Sequence, residues 1–153
     1  MTVIGIGNSA MGDDGIGVEI AGILRGISRR AEWPESVEVI NAAEDAVLAG
    51  SCAAEGKDVL VVDAVDMKRE PGTWQVFSAY DLPLGLETAG CSTHAMSLAG
   101  VIELARALGC ADRLRILGIQ VGDVRPGRFL SPRVRESVPG VIARIREEVE
   151  ALS

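Results

Sequence analysis

The chain is poor in aromatic side chains: two Trp, one Tyr and two Phe make up 3% of its 153 residues. Because 48% of the residues are hydrophobic all the same, the core must be built from Val, Ile, Leu and Ala, which suits helices stacked on a buried sheet. There is one histidine, and there are three cysteines, Cys52, Cys91 and Cys110, with no C-x-x-C pair. An odd set without paired spacing argues against a disulfide framework and fits a reducing cytoplasm. No apolar run reaches the roughly 18 residues of a membrane span. The N-terminal TVIGIG lacks a basic n-region, so no signal peptide is expected. Lys and Arg number 15 against 22 acids, a net charge of −7 and a pI near 4.7. That balance argues against a nucleic-acid or anionic-membrane partner, both of which want clustered cations. G-x-S-x-G and H-E-x-x-H do not occur, so the serine-hydrolase and zincin motifs are missing.

What is present is an alternation of short apolar runs with longer periodic ones, the pattern of an α/β fold. At this length a single domain, 1–153, is expected to bury about 70% of the surface its unfolded chain exposes. Strands are expected at Val3 to Ile6, Val37 to Ile40, Asp58 to Val65 and Arg115 to Val121. The VLVV run of the third is typical of a strand covered on both faces. Glu70-Pro71-Gly72 is a turn signal leading to Trp74 to Phe77, a candidate antiparallel edge strand. Helices are expected at Gly15 to Ile27, Ala43 to Ala54 and Thr93 to Leu108. A last one at Pro132 to Leu152 is expected to break near Pro139-Gly140. The sum is a doubly wound, mostly parallel twisted sheet of about five strands with helices on both faces.

Residues 5 to 17, GIGNSAMGDDGIG, pose a contradiction. Gly5, Gly7 and Ala10 satisfy the G-x-G-x-x-A spacing of a dinucleotide fingerprint, whose helix N-terminus holds a pyrophosphate. Yet Asp13 and Asp14 occupy that helix start and would repel a phosphate, so the loop suits a cation. Open parallel sheets bind ligands beyond the carboxyl ends of their strands. Asp13 and Asp14 follow strand one there, Asp63 is the first charged residue after VLVV, and His94 opens a later helix. Each has an ordinary explanation: an acid caps a helix, an Asp begins a turn, a lone His is satisfied on the surface. Capping accounts for one member of the acidic pair and is assigned to Asp13. The coincidence of Asp14, Asp63 and His94 at one edge instead suits a divalent transition metal, with two hard oxygen donors and one nitrogen. Three protein ligands with open positions describe a site that borrows the rest of its coordination shell. Cys91, three residues before His94, is read as a buried small hydrophobe, with a soft-ligand role as the alternative. Met96 and Trp74 are read as packing.

GNSAMGDDGIG, then VVDAVD, then STHAMSL, then LGIQ, in this order over most of the chain, resemble the nickel–iron hydrogenase maturation endopeptidases. The wording is nearest to those serving formate-hydrogenlyase-type hydrogenases. The resemblance implies an aspartic-type, cytoplasmic endopeptidase that removes a C-terminal extension from the large-subunit precursor once nickel is inserted. It places the family's metal-contacting groups on Asp14, Asp63 and His94, as both metal and catalytic residues, and implies nickel carried by the substrate with no permanently bound cofactor. A monomer with the NiFe-hydrogenase large-subunit precursor as partner is expected. Asn8 matches the family's turn and is read as a loop former. The chain departs from the pattern at Asn41-Ala42-Ala43-Glu44, where relatives tend to carry glycine-rich sequence, and at Cys91. Two other functions remain open from sequence: a non-catalytic nickel-binding or checkpoint module on the same ligands, and a small dinucleotide-binding protein. The second is weakened by Asn41, which stands where a ribose-binding acid is expected. A metal-polarised carbonyl and a carboxylate-activated water are both compatible with the site.

Overall fold

A computed structural model describes residues 1–28, 33–81, 87–88, 98–127 and 129–151. Five strands lie side by side in the order β2-β1-β3-β6-β4, comprising β1 (Thr2–Ile6), β2 (Glu38–Ala43), β3 (Val59–Asp66), β6 (Leu114–Gln120) and β4 (Trp74–Ser78). A two-residue strand, β5 (Glu87–Thr88), pairs antiparallel with the end of β3. The pairs β1–β2, β1–β3 and β3–β6 are parallel, and β4 runs antiparallel to β6 at the edge. This is the doubly wound, mostly parallel sheet expected from the alternation of runs, including the edge strand after Glu70-Pro71-Gly72.

Period-two alternation explains why β3 and β6 are continuously apolar. Leu60, Val62, Leu117 and Ile119 face one core, shared with Ile16, Ile20 and Leu24 of α1 (Ile16–Ser28) and Val141, Ile145 and Val149 of α4 (Pro132–Ala151). Val59, Val61, Leu114 and Ile116 face the other, shared with Ala49 and Cys52 of α2 (Val47–Ala54) and Val101, Ile102 and Ala105 of α3 (Leu98–Ala107). Helix α1 lies close against the sheet because Gly17 carries no side chain. A Cβ there would come within 2.2 Å of the carbonyl oxygens of both Ile6 and Val62.

Three boundaries differ from the sequence-based expectation for physical reasons. Strand β2 continues past Ile40 because Asn41 and Ala43 still pair with β1, with Ala42 the extra residue of a bulge. Helix α2 consequently starts at Val47 rather than Ala43, after Ala43 has taken a left-handed φ of 49°, and Asp45 Oδ1 accepts from the Val47 N–H at 3.1 Å. Helix α4 is not broken at Pro139-Gly140. Both residues are exposed, while Val134 on one side and Val141, Ile145 and Val149 on the other are buried. Core packing on both sides of the proline holds the helix continuous despite the lost backbone hydrogen bond. Of the expected helix Thr93 to Leu108, residues 93–97 lie outside the described residues. Among the described residues no helix is long and apolar enough to cross a membrane.

Candidate active site

The strand order sets the position of the site. From β1 the chain crosses by α1 to β2 on one side and then returns to β3 on the other, so the topological switch point lies between β1 and β3. Diverging connections open a crevice there, beyond the carboxyl ends of the two strands. Asp14 follows β1 within the short 3-10 turn Gly12–Gly15. Asp63 lies inside β3 rather than after it, since β3 continues to Asp66 in pairing with β5 and β6. On the β1 side, however, pairing ends at Gly5 with Val62. Asp63 is therefore the first β3 residue past its β1 neighbour, which delivers its carboxyl to the same crevice.

Both carboxyls are largely withdrawn from water, Asp14 being 8% and Asp63 5% exposed. The main-chain N–H of Asn8 donates to Asp14 Oδ2 at 3.1 Å, and the N–H of Ala64 donates to Asp63 Oδ1 at 2.8 Å. Burial pushes the Asp63 carboxyl from its ordinary 3.8 up to about 7, the negative charge of Asp14 adding to the rise and the Ala64 hydrogen bond opposing it. A carboxyl poised near neutrality can hold or release a proton at working pH. A cation entering the crevice would offset the like-charge repulsion and draw Asp63 into the ionised form. His94, Cys91 and Met96 lie outside the described residues. Among the described residues no group of three His, Cys, Asp or Glu could hold a metal ion.

Asp13 is not the helix cap expected from its position. It is fully buried, and its carboxylate accepts four hydrogen bonds from the chain segment that follows β6. Oδ2 takes the N–H groups of Gly122 and Asp123 and the hydroxyl of Ser131, all at 2.7 Å, and Oδ1 takes the Ser131 N–H at 2.6 Å. Capping would have satisfied donors of its own turn. Here tertiary packing places four distant donors instead. The same two segments are joined by backbone bonds, Gly12 N to Gly127 O at 2.8 Å and Gly127 N to Ala10 O at 2.9 Å. Protein backbone thus fills the turn that a dinucleotide would need, and Gly7 packs on the carbonyl of Asp14. Of the fingerprint residues, Gly5 packs against Gly17 and Ala21 of α1 and Gly7 against the Asp14 turn, while Ala10 is exposed and held through its backbone by Asn8 and Gly127.

Two residues gain roles that spacing did not reveal. Gln120, the buried end of the LGIQ run, accepts on Oε1 from the N–H groups of Met67 and Arg69 at 2.6 and 3.2 Å. Its Nε2 donates to Asp66 Oδ1 at 3.2 Å. It thereby fixes the segment leaving β3 on the same edge as Asp63, and a polar side chain closing an apolar strand was its one signal. Asn8 is more than a loop former, since its amide Nδ2 donates to Glu44 Oε1 at 2.9 Å and its Oδ1 accepts from the Ala10 N–H at 2.9 Å.

Comparison with known proteins agrees with this architecture. Residues 22–148 match the family model described as hydrogenase maturation protease. A putative hydrogenase maturation protease of Methanocaldococcus jannaschii is 30% identical over 97% of this chain and 95% of its own length. The crystal structure of a [NiFe] hydrogenase maturation protease HycI from Thermococcus kodakarensis superposes with a TM-score of 0.71 at 26% identity, covering 95% of this chain and 89% of that one. The hydrogenase maturating endopeptidase HybD of Escherichia coli shares the fold with a TM-score of 0.74 at 21% identity, over 99% and 93% of the two chains. With the family model matching most of the chain and a relative aligned nearly end to end, this chain belongs to the hydrogenase maturation proteases and is a peptidase.

Proposed function

We propose that this peptidase removes the C-terminal extension of a NiFe-hydrogenase large-subunit precursor after nickel has been inserted, and that it reads the nickel carried by its substrate. The observation that carries this reading is the pair of buried carboxyls, Asp14 and Asp63, at the switch-point crevice, with Asp63 held near neutrality by burial and by Asp14. Such a pair repels itself when empty and is relieved by a divalent cation, so a nickel-loaded substrate binds where a metal-free one does not. His94 supplies the third donor, a neutral imidazole, in this reading. The metal belongs to the substrate, and the enzyme needs no resident cofactor and acts as a cytoplasmic monomer. Membership of a peptidase family stands against the non-catalytic checkpoint reading of the same ligands.

The test incubates the full chain with a large-subunit precursor in nickel-loaded and nickel-free forms and follows intact mass. Loss of one C-terminal segment from the loaded form alone is expected. Cleavage of both forms at equal rates would overturn nickel recognition, and cleavage of neither would overturn the activity proposed for this substrate.

A further inference from the structure

The ends of β2, β1 and β3 lie side by side, and each delivers an acid to the same edge: Glu44 after β2, Asp14 after β1 and Asp63 from β3. Glu44 reaches its place through an unfavourable backbone. Ala43 is in the left-handed region with φ 49°, which for a residue with a Cβ costs about 1–2 kcal/mol. Strain of this kind persists only where the surroundings over-determine it. Here the Gly7 N–H donates to Ala43 O at 2.7 Å, and Asn41 Oδ1 accepts from the Ala43 N–H at 3.0 Å. The bulge and the left-handed residue together turn Glu44 toward β1, where its Oε1 accepts from Asn8 Nδ2 at 2.9 Å. The amide orientation of Asn8 is dictated by its neighbours, since the Ala10 N–H requires an acceptor and the Glu44 carboxylate requires a donor. The main-chain N–H of the same Asn8 donates to Asp14 Oδ2.

We propose that Glu44 is a positioning residue for Asp14, acting through Asn8. The relay runs from the end of β2 to the site: Glu44 holds the Asn8 side chain, Asn8 holds its own peptide plane, and that peptide fixes one oxygen of the Asp14 carboxylate. Glu44 acts here through its hydrogen bond with the Asn8 amide. Its contribution is orientation, and misplacement of a reacting group by about 1 Å can cost on the order of 100-fold in rate. The inference rests on the reading of Asp14 as a group that meets the substrate.

The experiment compares Glu44→Ala, Glu44→Gln, Asn8→Asp and Asp14→Asn, measuring kcat and KM for cleavage of a nickel-loaded large-subunit precursor and Tm for each full-length variant. Glutamine keeps the acceptor oxygen, whereas alanine removes it and Asn8→Asp removes the donor. Glu44→Ala and Asn8→Asp are expected to lose about 10-fold or more in kcat with KM little changed, and Glu44→Gln to stay within about 3-fold of the parent. A merely structural role would lower Tm and leave the kcat of the folded fraction unchanged, which would overturn the proposal. So would parental kcat in Glu44→Ala, or a Glu44→Gln variant as impaired as Glu44→Ala, which would make the charge the essential feature. Asp14→Asn separates the two levels: if it is inactive while Glu44→Ala runs at the parental rate, only the positioning role fails. Full activity in Asp14→Asn would remove the reading on which that role rests.

Discussion

Replacing Asp63 by asparagine should stabilise the protein while abolishing its activity. In the native state burial and the Asp14 charge raise the Asp63 carboxyl to about 7, against 3.8 for the ordinary group. The folded protein therefore keeps a proton that the unfolded chain releases, and stability falls as pH rises through the window between about 4 and 7. A rise of about 3 units at 1.36 kcal/mol each gives a cost of roughly 4 kcal/mol once Asp63 is fully ionised. Partial relaxation of the crevice brings the expected gain on neutralisation to about 2–4 kcal/mol. Asparagine retains an oxygen to accept from the Ala64 N–H, so the one hydrogen bond to Asp63 Oδ1 survives the exchange. For a domain of this size each kcal/mol moves Tm by about 2–4 °C, so Asp63→Asn should melt roughly 5–15 °C higher at pH 8. The assay is calorimetry of parent and variant from pH 4 to pH 8 with a chelator present, because a bound cation would offset the repulsion. The gain should shrink steadily as pH falls below 7 and vanish near pH 4. A variant no more stable than the parent at pH 8, or a gain independent of pH, would refute the account of Asp63 as a buried carboxyl under charge strain.

Other outcomes follow from the same structure. Asp13→Asn should destabilise by about 2–3 kcal/mol in a urea melt, because an amide group must face one of the donors that the carboxylate now accepts, Ser131 N–H on one oxygen or Gly122, Asp123 and the Ser131 hydroxyl on the other. Ala43→Gly should raise stability by about 0.5–1 kcal/mol, the relief of a left-handed alanine exceeding the added entropy of the unfolded chain; a loss of stability would show that the strain is not stored there. Gly17→Ala should cost about 3 kcal/mol or prevent folding, since its Cβ would meet two carbonyl oxygens at 2.2 Å, those of Ile6 at the end of β1 and of Val62 inside β3. Asp14→Asn and His94→Ala should each leave the precursor uncleaved on a denaturing gel while circular dichroism stays parental, and full processing by either would sink its assigned role.

Much of the architecture was legible in the sequence because it depends on local periodicity. VLVV and the LRILGIQ run announce strands covered on both faces, and the Glu70-Pro71-Gly72 turn announces the antiparallel edge strand β4. The placement of Asp14 and Asp63 at one edge was legible too, since parallel strands joined by helices present all their carboxyl ends on the same side. What spacing could not show is which distant groups would meet there. Asp13 was indistinguishable from a cap because its true partners, Gly122, Asp123 and Ser131, lie more than a hundred residues away. Pro139 read as a helix break because propensity is local, whereas the burial of Val134 and Val141 on either side of it is not. Asn41 to Glu44 read as a departure from the family, yet the chain takes the left-handed turn there with alanine and brings Glu44 to Asn8. The raised carboxyl of Asp63 is likewise a property of the crevice and not of the residue: the strand order β2-β1-β3 withdraws it from water beside Asp14, and desolvation then outweighs the single hydrogen bond that would keep it ionised.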